Sequence, residues 1–469
     1  MSTATITAPA ATELPQLQLE RLCDSGSFRR LRSAVSSLRL GERAAPGDGV
    51  VSGAGEIGGR PVFCYAQDPA FLGGSLGEVH ADTIVRLMRM AGDAGAPVVG
   101  FVRSGGARLQ EGHSALAGYG RIFRASVELS HKVPQISILS GVSAGGGAYS
   151  PALTDFVVMT AESRMFLTGP QVVREALGEE ISMEDLGGPR VHGRNGVCQL
   201  VADDSDAAIE AARRLLGLLP RTIGATLPLA PPAAPGGEEA GAVVPADPRK
   251  VYDVRAVAAS LFDAGSLLEL SPRWAPNMVT AFARLEGRPV GIVANQPRSL
   301  GGVIDAAAAE KAALFVASCD RFRLPLVVLV DTPGFMPGRR QEELGVIRHG
   351  AALLRAFAAA TVPKVTVVLR KAFGGAAITM NSRDLGADLV FSWPGAQIGI
   401  MAARQAVGIV HRRALAEDGG TSRDELADAY SGEHLTAAAA AASGFVDEVI
   451  EPAATRDRLA WALRSLGER

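Results

Sequence analysis

Apolar and polar positions along this chain fall into blocks that switch between two periods. Short, nearly unbroken apolar runs recur at residues 61–66, 97–102, 134–139 and 156–159, and again at 290–294, 325–330 and 365–369. Such runs mark strands buried on both faces, as in parallel sheets. Between them the period becomes helical. Ile84, Leu87, Met88 and Ala91 stand at i, i+3, i+4 and i+7 within 79–94, and Leu116, Tyr119, Phe123 and Val127 share one side of a helix expected over 114–129. Further helices are expected over 306–319, 342–359 and 437–442, and over a terminal segment carrying Leu459, Ala462, Leu463 and Leu466. Residues 17–40 read as partly helical, with Arg29, Arg30 and Arg32 on a solvated face or against an anionic ligand tail. Strand–helix alternation predicts βαβ crossovers with helices on the sheet faces.

The blocks occur twice. Gly59-Arg60-Pro61-Val62 returns as Gly287-Arg288-Pro289-Val290, Gly73-Gly74 as Gly301-Gly302, and the strand opening at Pro97 as the one opening at Pro325. Each pair is 228 residues apart (287 less 59, 301 less 73, 325 less 97), and Gly145-Gly146 returns as Gly374-Gly375 at 229. A repeat of this length predicts a duplicated domain rather than a solenoid. Residues 221–249 interrupt the pattern with Pro228, Pro231, Pro232, Pro235, Pro245 and Pro248. They read as a linker between domains at 15–220 and 250–469. Residues 1 to about 15 are Ala/Thr/Pro-rich and expected to be loose.

Composition narrows the function classes. In 469 residues, 47% hydrophobic content supports two full cores, while 47 basic against 49 acidic residues leaves no nucleic-acid footprint. The four cysteines are far apart with no CxxC, which argues against a zinc ribbon or disulfide framework. No apolar run approaches a membrane span, and the N-terminus lacks a signal-peptide pattern, so a cytoplasmic, reduced location is expected. His80 and His192 read as hydrogen-bonded structural histidines, and no H-x-x-x-H or H-E-x-x-H pair occurs, so no metal is predicted.

The chemistry concentrates in two glycine stretches, Ser140–Ser150 and Arg370–Ala377, each following an apolar strand. A strand that turns into a helix through glycines exposes backbone N–H groups, and the helix dipole favours an anion there. The product is a phosphate cradle or an oxyanion hole. Gly141-Val142-Ser143-Ala144-Gly145 also matches the G-x-S-x-G nucleophile elbow, with Ser143 as nucleophile and His411 or His434 as available bases. The second copy has Ala372 in place of Ser143, so what the duplication kept is backbone geometry and not a hydroxyl. Close helix–strand packing is the alternative reason for the glycines. Two anion holes suit a reaction with two anionic partners that needs no side-chain base if one substrate brings its own.

Several stretches are similar to one family. They are Gly73-Gly74-Ser75-Leu76-Gly77-Glu78-Val79-His80, Ser104-Gly105-Gly106-Ala107-Arg108, Ala144-Gly145-Gly146 with Tyr149-Ser150-Pro151-Ala152, and Met183-Glu184-Asp185-Leu186-Gly187-Gly188. The second half adds residues 291–297, Pro333-Gly334-Phe335-Met336-Pro337-Gly338, Ile347-Arg348-His349-Gly350 and Asp384-Leu385-Gly386-Ala387-Asp388. From about residue 17 to the end, the chain resembles the carboxyltransferase (β) subunit of biotin-dependent acyl-CoA carboxylases, of the propionyl-CoA carboxylase type.

The resemblance implies an α/β fold of two tandem crotonase-like domains. It implies a homo-oligomer, a hexamer built of dimers, with the active site between the N-domain of one protomer and the C-domain of another. The biotin is carried on a separate biotin carboxylase/biotin carboxyl carrier subunit. Acyl-CoA is expected on the N-domain, its oxyanion held by the amides of Gly145 and Gly146. Gly73, Gly74, Ser104, Gly105, Gly106, Ala107, Arg108 and Tyr149 surround it, with Ile378 facing the acyl chain. Carboxybiotin is expected on the C-domain, at Gly375 and Ala376 with Pro333, Gly334, Phe335 and Gly374. In the reaction so implied, CO2 leaves carboxybiotin, the freed ureido nitrogen takes the acyl α-proton, and the enolate attacks CO2. The chain departs from the family pattern at Thr83 (usually Lys), Ala307 (usually Asp), and Ala402 and Gln405 (usually Gly). A decarboxylase or transcarboxylase acting on a malonyl-type thioester is the first alternative. A serine hydrolase and an inactive assembly subunit are the others.

Overall fold

A computed structural model describes residues 14–247, 249–412, 415 and 422–467. The N-terminal stretch to residue 13 and Pro248 lie outside the described residues. The chain divides into two compact units between Ala225 and Thr226.

In the first unit the strands are β1 (Arg29–Leu31), β2 (Val50–Ile57), β3 (Arg60–Gln67), β4 (Val98–Ser104), β5 (Gln135–Ala144), β6 (Phe156–Thr160), β7 (Arg164–Phe166) and β8 (Leu200–Ala202). They form one sheet in the order β1-β2-β3-β4-β5-β6-β8, and β7 extends the edge of β5. β1, β2 and β3 are antiparallel, and the rest are parallel. The helix Glu78–Ala94 buries Ile84, Leu87, Met88 and Ala91, the face its period predicts.

Its neighbour His113–Leu129 buries only part of the expected stripe. Tyr119 is buried and Phe123 packs against the core as expected, but Leu116 and Val127 are exposed, and Ile122, Ala125 and Leu129 complete the buried face. Gly118 is responsible: a Cβ there would lie 2.8 Å from Ala81 Cβ. The two helices therefore touch along small residues, and the larger apolar groups beside that line are turned outward. The amino-terminal segment also differs from expectation. Its helix ends at Leu22, and Arg29 and Arg30 lie on the edge strand β1, where charged side chains discourage strand addition.

The second unit repeats the design. Its strands are β9 (Leu268–Leu270), β10 (Met278–Leu285), β11 (Arg288–Asn295), β12 (Leu326–Thr332), β13 (Lys364–Phe373), β14 (Leu389–Ser392), β15 (Gln397–Gly399) and β16 (Glu448–Val449). Their order is β16-β14-β13-β12-β11-β10-β9, with β15 extending β13. The helix expected over 342–359 is two, Arg339–Glu343 and Val346–Ala359, because Gly345 between them is left-handed at φ 75°. Thr455–Leu466 and Ala437–Ala442 are helical as their patterns predict.

The Pro-rich segment is shared between the units. Arg221 donates to the carbonyls of Ala94 and Gly95, and Thr222 and Ile223 bond Lys132 O. Further on, Ala230 N–H reaches Gly287 O, and the Pro228 and Ala233 carbonyls accept from Arg284 and Arg456. Among the described residues no helix is long and apolar enough to cross a membrane.

The duplication also explains Thr83. Its counterpart 228 residues on is Lys311. That lysine is almost fully buried and donates to the carbonyls of Ser271, Trp274 and Met278 at 2.9, 2.9 and 2.7 Å. Ser271 follows β9 with φ 50°, and Arg32 follows β1 with φ 55°. With a short Thr83 in the first unit, the Arg32 side chain reaches back instead, its Nε 3.1 Å from Thr83 Oγ1. A cavity of about 110 Å³ lined by Leu31, Thr83, Leu87 and Met90 remains. Lys311→Met should strip the Trp274 and Met278 carbonyls of their lysine donor, leave Ser271 O only its bond from Trp274 N–H, and cost the second unit about 3 kcal/mol. Thr83→Lys should be tolerated, because it re-creates the same tie in that cavity. Denaturant midpoints of the two variants check both outcomes.

Candidate active site

Each unit ends its fifth strand in the same way. Pairing of β4 with β5 runs from Val102↔Leu139 and then jumps to Ser104↔Ser143; pairing of β12 with β13 runs from Val330↔Val368 and jumps to Thr332↔Ala372. A bulge with two extra residues thus kinks the strand just before the glycines. Gly145 follows at φ 58°, ψ −127°, and Gly374 at φ 60°. A side chain is strained there, so glycine is required. Short helices start at once, Gly146–Ala152 and Gly374–Thr379.

The structure moves one of the expected donors. Gly145 N–H is spent on Phe166 O, 3.1 Å away, in the bond that carries β7. The first helical amides in this unit belong to Gly146 and Gly147, and first-turn amides have no carbonyl inside their helix. Register makes the same assignment. Ala144 pairs Phe166 and Phe373 pairs Gly399, so Gly145 corresponds to Gly374 and Gly146-Gly147 to Gly375-Ala376.

The walls differ. A Cβ on Gly146 would stand 2.7 Å from the Tyr119 ring, whose hydroxyl bonds Ser104 Oγ at 2.9 Å. The sequence marks Tyr119 only as a helix-face residue; its place behind Gly146 is decided by packing. Gly375 is open, with the Phe335 ring no nearer than 3.9 Å to a Cβ built there.

The expected acyl and biotin loops are one loop in two copies. Leu72-Gly73-Gly74 has φ 50°, 66° and 67°, and Leu300-Gly301-Gly302 has 50°, 66° and 78°. A Cβ on Gly74 would meet Arg103 O at 2.3 Å, and one on Gly302 would meet Asp331 O at 2.4 Å. Gly105 N–H bonds Gly73 O, bringing these glycines together. Gly106 N–H donates to Ser104 Oγ (3.2 Å), as Gly334 N–H does to Thr332 Oγ1 (3.3 Å). Ala107 pairs Leu76 as Phe335 pairs Ile304. Pro333 is exposed at the start of its loop. Tyr149 and Ile378 are both about half exposed on the short helices, Tyr149 edge-on to Phe123.

Arg108 is not available to a ligand. Its side chain is fully buried, bonded to Asp48 and Glu111 at 2.7 and 2.8 Å and to the Asp48 and Ser75 carbonyls. It ties the Gly73–Gly77 turn to the loop before β2. His80 supports the same region: it is fully buried with Nε2 3.2 Å from Gln67 Nε2, and Gln67 Oε1 receives Arg103 N–H. Burial, helped by the Arg108 charge, pulls its imidazole down to about 3. Ser143 is not a nucleophile. It is 0% exposed, and its hydroxyl donates to Gly147 O at 2.8 Å. Tyr119 is no base either, since burial pushes its phenol up to about 12.

Comparison with known proteins gives the family and the fold. The carboxyl transferase domain model matches residues 10–469. The chain is 47% identical to the methylmalonyl-CoA carboxyltransferase 12S subunit of Propionibacterium freudenreichii subsp. shermanii, covering 93% of this chain and 84% of that one. It is 44% identical to the propionyl-CoA carboxylase carboxyltransferase subunit of Haloferax mediterranei, covering 96% and 89%. The solved transcarboxylase 12S hexamer with methylmalonyl-coenzyme A and methylmalonic acid bound superposes with a TM-score of 0.92, at 45% identity over 96% of this chain and 89% of that one. Both units have the crotonase-like fold of such structures.

Gly146→Ala should displace Tyr119 and cost about 1–3 kcal/mol by overpacking, while Gly375→Ala should stay within about 1 kcal/mol of the native protein. Ser143→Ala should cost only about 1 kcal/mol, one hydrogen bond. Thermal or denaturant unfolding ranks the three. A second outcome concerns acid. The unfolded chain protonates His80 near 6.5, while the folded state resists until about 3. Stability should therefore fall as pH drops through that window, by about 2 kcal/mol from pH 6.5 to 5. His80→Gln should remove that share of the slope.

Proposed function

The chain belongs to the carboxyl transferase family, and from that membership we propose that it moves a carboxyl group between carboxybiotin on a carrier protein and the α-carbon of an acyl-CoA, giving a malonyl-type thioester. The observation that carries the reading is the doubled strand-bulge-glycine-helix turn: two anion-binding corners, with the Ser143 hydroxyl spent on Gly147 O and the Tyr119 phenol held protonated beside the first.

In this reading the amides of Gly146 and Gly147 hold the thioester oxygen as the enolate forms. Gly73, Gly74 and Gly105 give the thioester a side-chain-free floor. Each amide matters because negative charge grows on that oxygen only during reaction; one such donor is worth about 2.7–4 kcal/mol in related chemistry. Tyr149 and Ile378 offer exposed apolar surface to the substrate.

The second turn suits a flat ring with an acceptor oxygen. Gly375 is open, no atom lies within 4 Å of a Cβ on Gly334, and the Phe335 ring borders both Gly350 and Gly375. Gly375 and Ala376 amides, with Pro333, Gly334, Phe335 and Gly374, would hold the ureido ring. When bound, carboxybiotin supplies the carboxyl group and a nitrogen able to accept a proton, so the reaction needs no base from the chain. The partners in this reading are a biotin carboxylase/carrier subunit and further copies of the chain in a hexamer.

The transcarboxylase relative supports a second direction, removal of the carboxyl group from a malonyl-type thioester, since the first corner holds the same enolate and the second the same ureido ring either way. Incubation with carboxylated carrier and a panel of acyl-CoAs, read by mass spectrometry, should give a 2-carboxyacyl product. Incubation of malonyl-type thioesters with biotin tests the reverse. A bulky side chain at Gly375, such as Gly375→Leu, should lower kcat at least a hundredfold in either direction. Inactivity of the native protein with every thioester would favour an assembly subunit.

A further inference from the structure

The bulge before the glycine turn carries different charges in the two units. In the first, the residue opposite it is Arg103, whose Nε donates to Ser140 Oγ and which packs on Gly141. In the second, the same position is Asp331, and the bulge holds Arg370 and Lys371 where the first unit has Gly141 and Val142.

Asp331 is fully buried, and its Oδ1 has no hydrogen-bond partner. Its Oδ2 accepts from Tyr252 Oη at 2.9 Å and from Arg370 Nε at 3.0 Å. Arg370 also bonds Lys250 O at 2.7 Å and lies over the Tyr252 ring, 5.0 Å from its centre. One carboxylate oxygen, and by charge count the one anion, is thus taken by Arg370.

Lys371 is then in excess. Its Nζ lies 3.9 Å from Asp331 Oδ1, too far for a hydrogen bond, and its side chain is only 17% exposed. Among the described residues it makes no other ion pair. Burial pulls the ammonium pKa down, opposed by Asp331. Two cations against one anion in a half-buried place are costly unless a further negative charge arrives. The place is three residues before Gly374, at the root of the open turn.

We propose that Lys371 is a positioning residue that holds, by charge, the carboxylate on the ligand of the second unit's turn, so that a ureido ring bearing the transferable carboxyl group binds in preference to the bare ring. The inference rests on the function proposed above. Its consequence is directional. The loaded ligand arrives as an anion and is retained; once the carboxyl group is gone the ring is neutral and is released. Arg370 keeps Asp331 neutralised throughout, so the two cations have separate tasks.

The test compares binding of biotin with that of biotin carrying a stable carboxymethyl group on the ring nitrogen, by equilibrium dialysis with the full chain. The native protein should prefer the anionic ligand about tenfold or more. Lys371→Met should abolish that preference while leaving affinity for biotin and KM for the acyl-CoA unchanged. Lys371→Arg should restore it, and without ligand neither variant should unfold below the native midpoint. An unchanged preference in Lys371→Met, with native turnover intact, would overturn the inference alone. A native protein that binds neither ligand and transfers no carboxyl group would overturn the function on which it rests.

Discussion

A parallel strand that kinks through a two-residue bulge into a left-handed glycine, and then starts a helix at once, is the constraint on which everything else depends. The bulge places the last strand residues out of register with their neighbour. The glycine at φ near 60° reverses the chain without a side chain in the way. The helix that follows presents amides with no partner of its own. None of these steps needs a particular side chain, which is why Ser143 in one copy can be Ala372 in the other without loss of the turn. Around it the sheet supplies rigidity. The strands that carry the turn, β4 and β5 in one unit and β12 and β13 in the other, lie in the middle of the sheet order and are buried on both faces.

Buried charge and polar groups maintain the loops on either side. Arg108 bridges Asp48 and Glu111 in the interior of the first unit, and His80 with Gln67 sits beneath the strand end. In the second unit Asp331, Arg370 and Tyr252 do comparable work with other residues. Removing one member of such a group leaves an uncompensated buried charge, far costlier than loss of an exposed pair. The Lys311 tie and its replacement by Arg32 and Thr83 show the same economy: one backbone turn, fastened from opposite directions in the two copies.

Much of this was legible before any coordinates. The apolar runs gave the parallel strands because residues buried on both faces leave no polar alternation. The 228-residue repeat gave two similar domains, and the paired glycines gave the turns. What was not legible depended on which side of an element faces what. On the helix His113–Leu129 the period places Tyr119 and Phe123 correctly but not Leu116 and Val127, because Gly118 packs so closely on Ala81 that the buried face is centred on small residues. The helix expected over 342–359 breaks at Gly345, a single residue among apolar ones. Arg108 sits in a loop motif that looked ligand-facing and is instead interior.

The sequence by itself determined the class of fold, its duplication, and the chemistry of backbone amides, because glycine placement and apolar period are local properties. Only the tertiary structure decided which amides are available, since Gly145 N–H is consumed by a strand, β7, that its own neighbours in sequence do not announce. It also decided which charges are spent: Asp331 and Arg370 are 39 residues apart in the chain and meet only because β12 and β13 lie side by side.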